Sequence, residues 1–166
     1  VTEHIVTCPD GKDAHREIVH HPGGVGVVPI DDDGYVYMVK QYRIPYDKMM
    51  IEIPAGKLDK VENPDVAASR ELREETGLIA DNLEFIGHFY PSVGFCDEDL
   101  RMYVATGLKQ GETDPDDDEF VDVEKIHIDE VVNMIMNNQI SDGKTIAAIL
   151  KAKIKIGSRI ILQIAP

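Results

Sequence analysis

Apolar residues fall in short runs and alternations along most of the chain, a pattern of strands broken by turn-rich segments. Residues 1–21 read as two short strands joined by CPDGKD at 8–13. GGVGVVPI (23–30) and GYVYMVKQY (34–42) read as two more, placed around the turn Asp31-Asp32-Asp33-Gly34. MMIEIPAGK (49–57) is a short strand broken by Pro54. Asn63 followed by Pro64 is a helix start, with Asn as the cap and Pro in the first turn. Ala67, Ala68 and Leu72 give that helix a small apolar stripe, and Gly77 supplies its stop. Strands are expected again at 83–90, 100–108 and 120–128, the first two separated by the loop PSVGFCDED. Two helices follow, over 129–138 and 142–154. This order predicts an α+β or α/β sandwich rather than a regular βαβ series. No repeat and no dividing linker is visible, so one domain is expected.

Composition narrows the function classes. The chain has 166 residues and a formal charge of −14, with 31 acidic against 17 basic residues. A nucleic-acid binder needs the opposite balance for phosphate contacts, so that class is set aside. An anionic substrate would need cations close to its site. No apolar run approaches the length of a membrane span and no signal peptide is legible, so a cytoplasmic protein without a membrane partner is expected. Cys8 and Cys96 make no disulfide framework. Cys96 precedes Asp97, Glu98 and Asp99, whose charge disfavours a nucleophilic thiolate. The glycines at 23, 24 and 26 enter a strand, not a phosphate loop. SDGKT lacks the first glycine of such a loop, because Asn138 stands in its place. The six histidines are scattered without zinc-ligand spacing.

The first predicted helix carries an unusual load. Glu71, Glu74 and Glu75 converge on one side of it, and like charges at i, i+4 destabilise a helix by roughly 0.2–0.5 kcal/mol. Arg70 and Arg73 offset part of the repulsion. Most charge runs are solvated faces, and the helix alone would support that reading. A hard divalent cation such as Mg²⁺ or Mn²⁺ would instead turn the repulsion into attraction. The surroundings favour the second reading. Gly56, Glu62, Arg70, Glu71, Glu74, Glu75 and Gly77 fill the pattern G-x₅-E-x₇-R-E-U-x-E-E-x-G-U, with Leu72 and Leu78 at its apolar positions. This is the Nudix box, and the chain resembles a Nudix hydrolase.

The resemblance implies an α/β/α sandwich around a mixed sheet, with the box as a loop–helix–loop in a domain of residues 22–166. It implies metal bound by Glu71, Glu75 and the carbonyl of Ala55, with Glu74 as a further ligand or a group orienting water. Glu62 and Arg70 would fix the loop against the helix. Mg²⁺ is the expected ion, with Mn²⁺ able to substitute. HREIVHHPGGVGVVPI, VKQYRIPYDKMMIEIPAGKLDK, FYPSVGFCDE and DDDEFVDVEKI are similar to the ADP-ribose pyrophosphatase branch of the family. One departure is Val93, where that branch usually has proline; Pro91 lies two residues earlier. By this resemblance Arg43 contacts substrate phosphates, Glu119 is the first candidate for general base, and Glu98 is the second, on the loop over the terminal ribose. Residues 1–21 would pack across a homodimer, and Arg16 would reach the partner's adenine site. The implied reaction converts ADP-ribose to AMP and ribose 5-phosphate. Another nucleoside diphosphate sugar or a dinucleotide is the alternative substrate, and a non-catalytic ligand-sensing module is the alternative class.

Overall fold

The computed structural model describes residues 1–59, 61–111 and 122–164. Among these the strands form three sheets. The central one has four strands in the order β6 (Ala55–Lys57), β3 (Gly24–Pro29), β8 (Leu100–Gln110) and β7 (Leu78–Phe89). It is mixed: β3 runs parallel to β8 and antiparallel to β6, and β7 runs antiparallel to β8. A second, antiparallel sheet orders β5 (Lys48–Glu52), β4 (Tyr35–Arg43) and β9 (Asp122–His127). The N-terminal pair β1 (Thr2–Thr7) and β2 (Asp13–Ile18) forms a hairpin of its own.

Every residue of β3 is buried, as expected of a strand covered on both faces. Side chains alternate across a strand, and the two cores follow that alternation. Val25 and Val27 of β3, with Tyr103 and Ala105 of β8, pack against Ala67, Ala68 and Leu72 of the helix α1 (Pro64–Thr76). Val28, with Leu100, Met102 and Val104, faces the opposite way. There it meets Ile128, Val131 and Ile135 of α2 (Ile128–Met136) and Ala148, Ile149 and Ala152 of α3 (Gly143–Ile164). The result is the layered mixed-sheet sandwich that the Nudix resemblance implies.

The ends of α1 follow from local chemistry. Asn63 Oδ1 accepts from the Asp65 amide at 2.8 Å, a cap whose loss costs about 1 kcal/mol. Gly77 closes the helix in the left-handed region at φ 69°, its amide donating to Arg73 O at 2.7 Å.

The two strands expected around the turn at 31–34 are present as β3 and β4. They touch through one bridge, Ile30 to Val36, and then enter different sheets. One expectation needs correction: the last helix runs on past residue 154 to Ile164. Pro54 does break its strand as expected, and the two halves, β5 and β6, join different sheets. No helix among the described residues is long and apolar enough to cross a membrane.

Candidate active site

One face of α1, the loop before it, β6, the end of β4 and the start of α3 line a cleft of about 480 Å³. Glu71 and Glu75, one helical turn apart, form part of its wall beside Ala55 and Gly56. Both carboxylates are buried, at 7% and 6% exposure. Such burial needs partners. Glu75 Oε2 accepts from the Ala55 amide at 2.9 Å, which pins the helix to the start of β6. Glu71 Oε1 accepts from Arg70 Nη1 at 2.8 Å. The carboxylate of Glu71 lies against the backbone at Gly56, where an added Cβ would fall 1.9 Å from Oε1. Only glycine leaves that space open.

Arg70 is the hub of the box. Its Nε and Nη2 donate to the two oxygens of Glu62, each at 3.0 Å, and Nη1 also reaches Glu74 Oε2 at 2.7 Å. Glu62 Oε2 accepts in turn from the Asp59 amide at 3.1 Å. The Glu62–Arg70 pair thereby ties the loop after β6 to the helix, the role the resemblance assigns to it. These contacts raise the affinity of Arg70 for its proton, with the hydrogen bond to Glu62 the largest influence.

The same lining also carries cations. Arg43, at the end of β4, lines the cleft with Lys144 of α3. Arg43 Nε and Nη2 donate to the two oxygens of Glu52, both at 2.7 Å. Lys144 also donates to Glu52 Oε2 and lies 3.1 Å from Asp142 Oδ2. Burial pushes the Glu52 carboxyl up, but Arg43 and Lys144 outweigh it and hold the group below the usual carboxylate range.

Glu98 lines the cleft from the loop between β7 and β8. That loop is tied down by paired histidines and acids. His20 Nδ1 is 2.6 Å from Asp97 Oδ2, and His88 Nδ1 is 2.7 Å from Asp99 Oδ1. His21 Nδ1 accepts from the Gly23 amide at 3.2 Å and sits 3.9 Å from Glu98 Oε1. The hydrogen bond from His20 lowers the Asp97 pKa.

Ala55, Glu71, Glu75, Arg43 and Glu98 therefore meet at one cleft. Glu74 stands off its lining, engaged by Arg70. Arg16 lies on β2, away from the cleft, its Nη1 donating to His15 O at 2.8 Å. Glu119 falls outside the described residues. Sequence reasoning missed Glu52 and Lys144. Their signals were an acid inside the apolar run MMIEIP and a lysine in the first turn of a helix, where the dipole opposes a cation.

The donor set suits a hard cation: carboxylates beside a backbone carbonyl, in a cradle that a Cβ at Gly56 would fill. Among the described residues, no three acids, histidines or cysteines converge on one point. Arg70 holds Glu71 and Glu74, so a metal bound here would draw Glu71 from that contact.

The layered fold and the intact box on α1 define the class. The NUDIX domain model matches residues 20–149, and the chain belongs to that family as a Nudix hydrolase. Among its relatives is a protein of Bacillus methanolicus named methanol dehydrogenase activator. The two are 45% identical over 146 residues, covering 87% of this chain and 79% of that one. The ADP-ribose pyrophosphatase of Bacillus subtilis (strain 168) is 41% identical over 152 residues, covering 90% and 82%. A solved ADP compounds hydrolase superposes with a TM-score of 0.82 over 95% of this chain and 85% of that one; at 17% identity it speaks for the fold.

Proposed function

We propose that this chain hydrolyses the diphosphate bond of ADP-ribose to AMP and ribose 5-phosphate, with Mg²⁺ as its cofactor and Mn²⁺ as a substitute. The observation that carries the proposal is the mixed lining of the cleft. Buried Glu71 and Glu75 share it with Arg43, so it offers carboxylates to a cation and a guanidinium to a phosphate. The Bacillus subtilis relative supports the choice of substrate.

Glu71, Glu75 and the Ala55 carbonyl would hold the ion, with Glu74 joining them or orienting water. A bound divalent ion supplies neutralisation of diphosphate oxygens and a lowered pKa for attacking water. The remaining chemistry belongs to side chains. Arg43 donates to phosphate oxygens, where a planar fork suits two acceptors at once. The general base is Glu119 or Glu98, and Glu98 is the one with a described place on the cleft. Either takes the proton of the attacking water, a role that contributes about 10²–10⁴-fold.

The enzyme is proposed to act as a homodimer in the cytoplasm. Two free cysteines suit a reducing compartment. The β1–β2 hairpin supports the dimer: all six residues of β1 are exposed, with Ile5 at 67%, and a lone two-stranded hairpin is marginal in water. Arg16 lies on this hairpin, so its proposed contact is with the partner's nucleotide.

The test is a panel of purified protein with Mg²⁺ against ADP-ribose, other diphosphate sugars, dinucleotides and nucleoside triphosphates. Selective release of AMP from ADP-ribose is the expected result. Preference for another diphosphate would overturn the substrate, and tight binding of ADP-ribose without turnover would overturn catalysis.

A further inference from the structure

Glu52 is 1% exposed, is bonded to both Arg43 and Lys144 of the cleft lining, and has no part in the chemistry above. One cation would satisfy a buried carboxylate, yet this one takes two. Arg43 uses its Nε and Nη2 edge, with both bonds at 2.7 Å. Of the five donors of a guanidinium, that leaves both on Nη1 and one on Nη2, a second fork at the end of the group. Lys144 adds a further bond to Glu52 Oε2. Exposure separates their roles: the Arg43 side chain is 37% exposed, Lys144 14% and Glu52 2%. Arg43 is the member open to a ligand.

Lys144 comes from a firmly seated turn. Asp142 Oδ2 accepts from the Thr145 amide at 3.0 Å and from Thr145 Oγ1 at 2.6 Å. Thr145 is fully buried, and its Oγ1 accepts from the Ile53 amide at 2.9 Å. The first turn of α3 is thus bolted to the residue that follows Glu52. Lys144 closes the same junction through the side chains, against the sign of the helix dipole.

We propose that Lys144 is a positioning residue. It holds Glu52 Oε2 from the first turn of α3 and so locks Arg43 with its free fork available to the substrate diphosphate. The proposal rests on the reading of Arg43 as a phosphate contact. It assigns Lys144 no contact with substrate.

Four measurements test it. Lys144→Met should raise KM for ADP-ribose about tenfold while kcat falls no more than about threefold, the pattern of a lost ground-state contact. Lys144→Arg should bring KM back to within about threefold of wild type. In an Arg43→Met background, Lys144→Met should add less than about twofold, because the residue it acts through is gone. Independent losses that multiply would overturn the proposal, as would equal falls in kcat and kcat/KM. The fourth measurement uses no substrate: the ¹⁵N-correlated Nε–H signal of Arg43 should be sharp in the wild type and broadened in Lys144→Met. An unchanged signal would overturn the positioning role even where ADP-ribose proved the wrong substrate. Should Lys144→Met fail to fold, Lys144→Gln, which keeps a neutral donor, carries the same comparisons.

Discussion

Gly56→Ala isolates the link between the box and the chemistry. Gly56 lies in β6 and is not among the glycines with positive φ, so alanine meets no backbone strain there. What it meets is Glu71. An added Cβ would lie 1.9 Å from Oε1, 2.0 Å from Cδ and 2.3 Å from Oε2, and ordinary contact begins near 3.4 Å. The carboxylate must retreat by the difference, about 1.5 Å. It is the far end of a flexible side chain, so it can turn away, losing its 2.8 Å contact with Arg70. Overpacking of this kind destabilises by about 1 kcal/mol, which for a chain of this length lowers Tm by roughly 2–4 °C. Activity should suffer far more. A displacement of about 1 Å in a reacting constellation removes about 10²-fold in rate, or 2.7 kcal/mol. The assay is steady-state release of AMP from ADP-ribose with Mg²⁺, beside calorimetry of the metal-free protein. A variant within about threefold of wild-type kcat/KM would refute the placement of Glu71 in the chemistry. A Tm lower by more than about 10 °C would show that the glycine serves the backbone and not the carboxylate.

Glu75→Gln keeps an acceptor for the Ala55 amide and removes the charge. Folding should survive, and turnover should drop by more than the ~10–100-fold typical of losing an outer partner of a metal site; unchanged turnover would exclude it as a ligand. Glu119→Gln and Glu98→Gln divide the base between two loops: the true one should lower kcat by about 10²–10⁴-fold with KM nearly constant, and two near-normal variants would place the base elsewhere. Acid should expose the Glu52 cluster. Its carboxyl is held below the ordinary glutamate value, so its contribution to stability is complete above the unfolded pKa of about 4.3 and is lost as pH falls through the depressed value. Wild-type Tm should therefore fall more steeply below that pH than Tm of Glu52→Gln, and parallel curves would refute the pairing. Ile5→Glu should shift the mass in analytical ultracentrifugation from dimer to monomer, and an unshifted mass would remove β1 from the interface.

The parts of this molecule legible in its sequence are those set by near neighbours. Asn63 and Gly77 mark both ends of α1 because capping is decided within a few residues. Glu62, Arg70, Glu71 and Glu75 were legible for the same reason, since a loop and one helix bring them together. Lys144 and Glu52 lie 92 residues apart, and nothing local announces their meeting. The far end of α3 was not legible either. The expected helix closed at residue 154, yet it continues through Gly157 to Ile164; glycine weakens a helix interior by about 1 kcal/mol, a bias rather than a barrier.

Pro54 joins these two kinds of information. It was legible as a strand breaker, because it has no amide to give a ladder. What it breaks toward is visible only in three dimensions. Before it, β5 pairs with β4 and carries Glu52 beside Arg43. After it, β6 pairs with β3 and carries Ala55 and Gly56 beside Glu75 and Glu71. The cleft sits where the chain changes sheets, so Glu52 beside Arg43 and Ala55 beside Glu75 are only three residues apart. A proline restricts the residue before it as well as itself, and here that residue is Ile53, whose amide Thr145 holds. One stiff, anchored dipeptide therefore joins the strand that carries Glu52 to the strand that carries Ala55 and Gly56, and the chemistry of the cleft depends on that switch staying where it is.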